Sequence, residues 1–284
     1  MSEKIKKERI DVLVTQQGLT ETREQAKRAI MAGLVYDMNN LRYDKPGEKI
    51  PQNTELKIKG HTLPYVSRGG LKLEKAIKAF GIDFTNKILL DIGSSTGGFT
   101  DCALQNGAKM SYALDVGSNQ LAWKLRQDPR VEVMEKTNFR YAKRDDFKLG
   151  QPMIASIDVS FISLKLILPA LKDILASDGE VVALIKPQFE AGREQVGKKG
   201  IIRDKKIHLA VLQQVLGFMT SFGYDIVALD YSPITGGDGN IEFLAYLKPV
   251  SAIGMYRFEQ TPEEVVNSAH LQLTHQNKTT NHIN

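Results

Sequence analysis

The stretch KILLDIGSSTGGFTD, Lys87–Asp101, decides the fold of this chain. Its apolar run ends in an acid, Asp91, and a glycine-rich turn then precedes an expected helix that begins near Phe99. Glycine lets a backbone approach a ligand closely, and open α/β sheets bind ligands at the carboxyl ends of their strands. The stretch therefore predicts a ligand-binding loop between a buried strand and a helix.

Strands and helices alternate after this stretch. Further apolar runs with strand character are Ser111–Val116, Val131–Met134, Ile154–Val159, Val181–Ile185, Ile226–Tyr231 and Ile241–Leu247. Amphipathic segments lie between them, among them FTDCALQNG, SNQLAWKLRQ and the long DKKIHLAVLQQVLGFMTSFG. The alternation predicts a doubly wound α/β fold with a Rossmann-like sheet. We expect this sheet to be mostly parallel, with an antiparallel strand near the C-terminus.

The first 60 residues follow a different pattern. Apolar residues recur at helical spacing in Arg9–Gln17, and a second helix follows with Thr20 or Thr22 as its cap. Asn39 and Asn40 then separate two strand-like runs, which is typical of a hairpin. With so few large apolar side chains, this part predicts a small α+β domain.

These changes of pattern predict the domain boundaries. We expect the small domain over residues 1–60, a linker over 61–66, the α/β domain over 67–250 and a partly flexible extension over 251–284. Residues 1–80 carry 16 Lys and Arg against 10 Asp and Glu, whereas the rest carries 22 against 23. This excess of positive charge indicates either a surface for a polyanion or an ordinary solvated face.

The composition also limits the compartment and the chemistry. The sequence contains no run of about 18 apolar residues and no apolar signal segment after its charged start, so we expect a cytoplasmic protein without stable membrane association. The single cysteine, Cys102, is expected to be a small buried helix residue. The five histidines lack metal-ligand spacing, so no metal site is expected.

Two kinds of ligand suit the glycine turn. A dinucleotide site favours GxGxxG with the pyrophosphate at the helix start, whereas here an acid precedes the spacing GSSTGG. That acid repels a pyrophosphate and attracts a cationic amino group, which favours S-adenosylmethionine. Asp115 closes the next strand, where a carboxylate can accept both hydroxyls of an adenosine ribose. The predicted cofactor-binding residues are Asp91, Gly93, Ser94, Ser95, Thr96, Gly97, Gly98, Phe99, Asp115, Val116, Asn138 and Asp158.

The glycine turn resembles motif I of Rossmann-like methyltransferases. Together with VSRGGLKLEKA, ALDVGSNQLAWKLR, IDVSFISL, LIKPQFE and GNIEFL, it makes the chain resemble the TlyA family, bacterial proteins also labelled haemolysin A, from about Arg9 to Lys248. That family joins an S4 RNA-binding domain to an FtsJ-like methyltransferase domain. The resemblance implies methylation, from S-adenosylmethionine, of a cytidine ribose 2′-hydroxyl in 16S or 23S ribosomal RNA or in both. Ribosomal RNA or ribosomal subunits would be the partners.

Four charged residues lie in motifs of that family. Lys186 follows the apolar run VVALI, Asp158 ends ASIDV, Lys72 opens the helix before the first strand, and Glu242 lies in the last strand. The resemblance implies a Lys-Asp-Lys-Glu tetrad in which Lys186 activates the hydroxyl and Asp158 orients it. Lys72 and Glu242 would position the ribose and tune the charge. A lysine can assist in removing the proton if nearby positive charge and burial lower its pKa.

Basic residues near the N-terminus are the expected RNA contacts. Arg23 and Lys27 lie four residues apart and share a helix face, with Arg28 beside them. Together with Arg9 they either bind phosphates, as the S4 resemblance implies, or form a solvated face. Arg68, in VSRGG, is predicted to contact RNA as well.

Several residues carry two interpretations. Asn138 either contacts the adenine or caps a turn. Phe99 and Trp123 are expected mainly in the core, although Phe99 borders the cofactor loop. The basic, glycine-bearing stretch Glu190–Asp204 is either a mobile loop that touches RNA or an ordinary exposed loop.

Three classes of function therefore remain. A ribose 2′-O-methyltransferase accounts for the glycine turn, the tetrad and the basic module. A non-catalytic RNA-binding or ribosome-assembly factor accounts for the basic module alone. A membrane-active haemolysin needs a membrane-spanning or strongly amphipathic exposed segment, which the sequence does not offer.

Overall fold

The computed structural model describes residues 6–59, 63–197 and 200–281, which form two compact units, one up to Arg68 and one from Gly69 onward. Some residues of the predicted segments lie outside the described residues: 1–5 and 60 of the small domain, 61–62 of the linker, 198–199 of the basic stretch and 282–284 of the C-terminal extension.

The first unit combines two helices with short strands. Helix α1 spans Ile10–Gln16 and α2 spans Arg23–Met31, and both agree with the prediction. Thr22 caps α2, since its side chain accepts a hydrogen bond from the backbone of Gln25 while the Gln25 side chain accepts one in return. The strands are β1 Lys7–Arg9, β2 Val35–Asp37, β3 Arg42–Tyr43, β4 Lys49–Pro51 and β5 Leu56–Ile58.

Local pattern explains part of this unit. Strands β2 and β3 form the predicted hairpin and β5 pairs with β2, giving an antiparallel three-stranded sheet. Strand β1 was not predicted, because its sequence KER has no apolar alternation and its pairing partner β4 lies about 40 residues away. The unit is nevertheless the small α+β fold expected.

The second unit contains the predicted sheet. Its strands are β6 Ile88–Ile92, β7 Met110–Leu114, β8 Val131–Met134, β9 Ile154–Ile157, β10 Glu180–Ile185, β11 Tyr224–Tyr231 and β12 Phe243–Pro249. Their order across the sheet is β11-β12-β10-β9-β6-β7-β8. Strand β12 runs antiparallel to both of its neighbours and the other neighbouring pairs are parallel, which confirms the predicted fold class.

Helices cover both faces of this sheet. They are α3 Gly69–Phe80, α4 Gly98–Gln105, α5 Trp123–Arg126, α6 Leu168–Ile174, α7 Pro187–Glu190, α8 Lys205–Ser221 and α9 Pro262–Asn281. Successive strand residues face opposite sides. Accordingly, Leu90 and Ile92 of β6 belong to the cluster that includes side chains of α6 and α8, whereas Asp91 between them faces α4.

Two predictions about helices and the core were wrong. The segment SNQLAWKLRQ forms only the single turn α5, and Trp123 is 70% exposed rather than buried. Helix α9 was not predicted, because its sequence is polar apart from a stripe that includes Val265 and Ala269 and is buried. Phe99 and Cys102 are buried, as expected.

Candidate active site

One edge of the seven-stranded sheet collects the ends of four strands. Ile92 of β6 pairs with Ile157 of β9, and Ile185 of β10 pairs with Phe243 of β12. Because β12 is antiparallel, it begins at the edge where the parallel strands end. Three charged residues therefore lie next to one another at this edge: Asp158 follows β9, Lys186 follows β10, and Glu242 precedes β12. Glu242 was predicted within the last strand and lies one residue before it.

The structure brings together all four residues of the predicted tetrad. Lys186 Nζ lies 2.5 Å from one carboxylate oxygen of Asp158, and Lys72 Nζ, from the first turn of α3, lies 3.5 Å from the other. Lys72 Nζ also lies 2.7 Å from Glu242 Oε2. Less than a tenth of the surface is exposed for each of Lys72, Lys186 and Glu242. Because water reaches these charges so little, the ion pairs within the cluster must compensate them.

The two central groups of the tetrad have shifted pKa values. Burial opposes the charged form of Asp158, but the charges of Lys72 and Lys186 outweigh it and lower the pKa of the carboxyl. Burial likewise opposes the charged form of Lys72, yet Asp158 and Glu242 outweigh it and raise the pKa of this lysine. The pKa of Lys72 rises because its closest charged neighbours are carboxylates and not cations, which suits the positioning role predicted for this lysine.

The glycine turn lies directly against the tetrad. Gly93 has a φ of +86°, and a Cβ atom added to it would lie 2.4 Å from the backbone oxygen of Asp158. Gly97 has a φ of +94°, and its added Cβ would lie 2.3 Å from Leu125 and 2.7 Å from Leu121. At Gly93 a Cβ atom would meet backbone atoms, and at Gly97 the left-handed φ favours glycine. The turn is thus packed against the end of β9 on one side and against Leu121 and Leu125 on the other.

Asp91 has a different role from the one predicted. Its side chain is fully buried and accepts hydrogen bonds from Thr100 Oγ1 at 2.8 Å, from Thr100 N at 3.1 Å and from Ser156 Oγ at 2.9 Å. Burial raises the pKa of Asp91 to about 6, although these hydrogen bonds oppose the shift. With no exposed surface, Asp91 cannot touch a ligand amino group here, and it instead ties β6 to α4 and β9 beneath the turn.

Asp115 joins the glycine turn to the next loop. Its carboxylate accepts hydrogen bonds from the backbone of Ser95 at 2.8 Å and of Gly117 at 2.7 Å. Each carboxylate oxygen can accept a second hydrogen bond, so the group still suits a ribose diol. Val116, which follows it, is 70% exposed, and Ser95 Oγ donates to Gln120 Oε1 at 3.3 Å.

The other predicted cofactor residues divide by exposure. Thr96 is half-buried and its carbonyl accepts a hydrogen bond from the backbone of Ala122. Asn138 is exposed, and its side chain accepts from the backbone of Arg140 at 3.1 Å, so it caps the short helix Phe139–Tyr141. The capping interpretation agrees with this geometry, and an adenine contact stays a prediction. The buried members of the turn are Ser94, Gly97, Gly98 and Phe99.

Two of the predicted RNA contacts, Arg9 and Arg23, bind a buried acid. Asp11 is fully buried and binds Arg9 at 2.9 Å and Arg23 at 2.8 Å. The hydrogen bond from Arg9 and the charges of both arginines lower the pKa of Asp11 to about 2, against the effect of burial. Lys27 lies 3.6 Å from its helix neighbour Glu24. The other two predicted contacts are Arg28, which is half-buried, and Arg68, which is exposed.

The basic stretch Glu190–Asp204 is anchored at two points. The carbonyl of Gly200 and the backbone N–H of Ile202 bind the side chain of Asn240 at 2.9 and 3.0 Å. Asn240 is 2% exposed and lies two residues before Glu242. The predicted mobile or freely exposed loop is therefore tied, at this point, to the segment that carries a tetrad residue.

Sequence reasoning missed several residues of the site. Ser160 accepts a hydrogen bond from Lys186 at 3.2 Å, and Phe161 next to it has a φ of +63° and is 90% exposed. The ring of Phe189 lies 4.9 Å from that of Phe161. The available signal was the pair of aromatic residues in the motifs IDVSFISL and KPQFE, one beside each of two tetrad residues.

Two kinds of feature are absent from the described part of the chain. Within residues 6–59, 63–197 and 200–281, no group of three or more His, Cys, Asp or Glu is arranged to hold a metal ion. No helix in these ranges has the length and apolar character needed to cross a membrane.

The chain matches one protein family and is similar to proteins and solved structures that have names. The family of FtsJ-like methyltransferases matches residues 65–248. The chain is 65% identical over 242 residues to "Putative rRNA methyltransferase YqxC" of Bacillus subtilis (strain 168), covering 85% of this chain and 86% of that protein. It is 38% identical over 241 residues to "16S/23S rRNA (cytidine-2'-O)-methyltransferase TlyA" of Mycobacterium tuberculosis (strain ATCC 25618 / H37Rv), covering 84% of this chain and 89% of that protein. A solved structure described as "Putative hemolysin from Streptococcus thermophilus" has a TM-score of 0.78 and 58% identity, covering 97% of this chain and all of that chain.

Proposed function

Because this chain belongs to the FtsJ-like methyltransferases and, among them, to the TlyA family, we propose that it methylates a cytidine ribose 2′-hydroxyl in ribosomal RNA, of the 16S or 23S type or both. S-adenosylmethionine would be the methyl donor. The observation that carries the proposal is the contact between the glycine turn at Gly93 and the Lys-Asp-Lys-Glu tetrad. A donor held by the turn would lie beside groups able to take a proton from an alcohol.

The residues present fit S-adenosylmethionine. The turn from Gly93 to Gly98 would hold the methionine part, Asp115 would accept the ribose hydroxyls, and the exposed Val116 would border the adenine. Asp91 would act from beneath, by fixing the turn. When bound, the donor supplies an electrophilic methyl group on a positively charged sulfur.

The contacts within the tetrad favour Lys186 as the group that receives the proton. Lys72 lies between Asp158 and Glu242, whose charges keep it protonated, whereas Lys186 is paired with Asp158 alone among the described carboxylates. Ser160 accepts a hydrogen bond from Lys186 and helps to orient it. Lys186 would first lose its own proton to solvent, and the neutral amine would then take the proton of the hydroxyl. The hydroxyl oxygen would form its bond to the methyl carbon as the bond between that carbon and the donor sulfur breaks, which leaves the sulfur as an uncharged thioether.

The overall charge of the tetrad supports the same step. Two lysines and two carboxylates carry no net charge when all four are ionised. Beside a bound cationic donor, the cluster faces one additional positive charge, and the loss of one of its protons becomes more favourable. Binding of the donor would therefore favour a neutral lysine in the tetrad, which is the form that can accept the hydroxyl proton.

Phe161 supports RNA as the substrate class. An exposed phenylalanine beside a catalytic cluster offers an aromatic face on which a nucleobase can stack. Enzymes that act on one nucleotide commonly take it out of its stack and hold it in such a contact. The target cytidine would then have its base on Phe161 and its 2′-hydroxyl at Lys186.

The first unit would supply RNA affinity. In this proposal residues 1–60 are an S4-like RNA-binding domain, 61–66 a linker and 67–250 the methyltransferase domain. Arg9, Arg23, Lys27 and Arg28, together with Arg68, would contact phosphates, and the ribosomal substrate would place the protein in the cytoplasm. A non-catalytic assembly factor would have no need of a charge-compensated buried tetrad.

Product mapping tests this function. The full chain is incubated with labelled S-adenosylmethionine and with naked 16S rRNA, naked 23S rRNA or intact subunits, and the modified nucleotide is identified by mass spectrometry. We expect 2′-O-methylcytidine in at least one of these substrates. An RNA fragment with 2′-deoxycytidine at the mapped position should accept no methyl group. Methylation of a base, or of that deoxy fragment, would exclude the proposed reaction.

A further inference from the structure

The loop between β9 and α6 has an unusual conformation beside the tetrad. Residues 158–163 form no helix or strand, yet they carry Asp158, Ser160 and Phe161. Phe161 has a φ of +63°, a left-handed conformation that bulky side chains rarely adopt. Such a conformation persists only where the surroundings hold it in place.

Glu190, at the end of α7, fastens the far end of this loop. One of its carboxylate oxygens accepts a hydrogen bond from Ser163 Oγ at 2.6 Å, and the other accepts one from the backbone of Leu164 at 2.8 Å. Burial raises the pKa of Glu190, and these two hydrogen bonds oppose the shift. The carboxylate thus caps the short helix Leu164–Leu166, because it accepts a hydrogen bond from the first backbone N–H, which has no partner within the helix.

Helix α7 therefore holds the loop at both ends. Lys186, which precedes α7, binds Asp158 and Ser160 at the near end, and Glu190 binds the far end four residues later. Between these points the ring of Phe189 lies 4.9 Å from that of Phe161. Glu190 has no described contact with any member of the tetrad, and its described hydrogen bonds go to Ser163 and Leu164 of the loop. We therefore expect any effect on catalysis to pass through the loop.

We propose that Glu190 is a positioning residue, which clamps the loop 158–164 so that Phe161 stays beside Lys186 to receive the target base. The inference rests on the proposed function for its substrate. The clamp itself is a property of the folded chain and can be measured without RNA.

Hydrogen exchange tests the clamp. In Glu190→Ala the backbone N–H of Leu164 loses its acceptor, so its exchange should accelerate about tenfold. In Glu190→Gln the side-chain oxygen can still accept from Leu164 and the amide can donate to the Ser163 hydroxyl, so exchange should stay close to wild type. Glu264→Ala is the control, because Glu264 accepts two hydrogen bonds from Thr261 at the start of α9. Unchanged exchange of Leu164 in Glu190→Ala would overturn the clamp.

Turnover tests what the clamp does. In Glu190→Ala we expect kcat on RNA to fall about tenfold or more, with the Kd for S-adenosylmethionine unchanged and Glu190→Gln restoring activity. If Glu190 acts through Phe161, the double variant with Phe161→Ala should be no slower than Phe161→Ala alone. Independent, multiplicative losses would overturn the positioning role. Absence of RNA methylation by the wild type would instead contradict the proposed function, while the exchange measurement would still decide the clamp.

Discussion

Gly93→Ala should disable the site by moving the glycine turn away from the tetrad. The substitution places a Cβ atom 2.4 Å from the backbone oxygen of Asp158 and 2.9 Å from its carbonyl carbon. A backbone cannot swing aside as a flexible side chain can, so the turn or the end of β9 must shift by roughly 1 Å to reach normal contact distance. A displacement of that size is expected to lower turnover by about 100-fold.

Stability separates this clash from the effect of backbone conformation. The left-handed φ of +86° costs alanine about 1–2 kcal/mol, and the clash adds about 1–3 kcal/mol. Gly81→Ala is the matched control, because Gly81 has a φ of +65° and nothing lies within 4 Å of its added Cβ. It should lose only the first contribution, which is about 2–4 °C in Tm for each kcal/mol in a unit of this size.

Calorimetry and turnover measure the outcome. Titration of each folded variant with S-adenosylmethionine gives its Kd, and RNA methylation gives its rate. We expect weak binding and slow turnover for Gly93→Ala, with both quantities normal for Gly81→Ala. If Gly93→Ala bound the donor and turned over like the wild type, the close packing of the turn against Asp158 would have no functional role.

Three further predictions concern separate parts of the molecule. Burial raises the pKa of Asp91 to about 6, so protonation of Asp91 adds to the free energy of unfolding of the second unit. This contribution is fully present below about pH 4 and is lost as pH rises through 6. Asp91→Asn should therefore remove a pH dependence of about 3 kcal/mol from the free energy of unfolding measured in urea. An unchanged slope between pH 4 and 6 would contradict it. Phe161→Ala should cost RNA turnover the equivalent of about 1–3 kcal/mol of stacking while leaving donor affinity intact, and an equal loss with Phe222→Ala would make the effect unspecific. Lys27→Ala should reduce the slope of log K for RNA against log salt by about 0.7–0.9, whereas a slope identical to wild type would remove this lysine from the RNA contacts.

The strand and glycine turn could be predicted because their signals are local. The run that ends in Asp91 is apolar throughout, and a turn that needs left-handed conformations at Gly93 and Gly97 must contain glycine. The direction of the Asp91 side chain was also available from strand alternation, since Leu90 and Ile92 on either side belong to the opposite face. The charge of Asp91 alone suggested a ligand contact, whereas the alternation places its side chain beneath the turn.

Other features depend on contacts that the sequence does not encode locally. The pKa of Lys72 rises because folding brings it between Asp158 and Glu242, which are far away in the chain. Helix α9 is held by a narrow buried stripe against α8 and β11, and a polar sequence gives little sign of it. The clamp at Glu190 joins the motif LIKPQFE to the motif IDVSFISL, and the sequence does not show that folding brings these two motifs into contact.

The most direct test of the tetrad is a single-turnover measurement on Lys186→Ala. With donor and RNA bound at saturation, we expect a methyl-transfer rate lower by about 10²–10⁴-fold, with a Kd for S-adenosylmethionine close to wild type. Lys75→Ala is the control, since Lys75 lies on the same helix as Lys72 but pairs with Asp230 outside the tetrad, and it should react at the normal rate. A normal rate for Lys186→Ala would contradict the assignment of Lys186 as the proton acceptor.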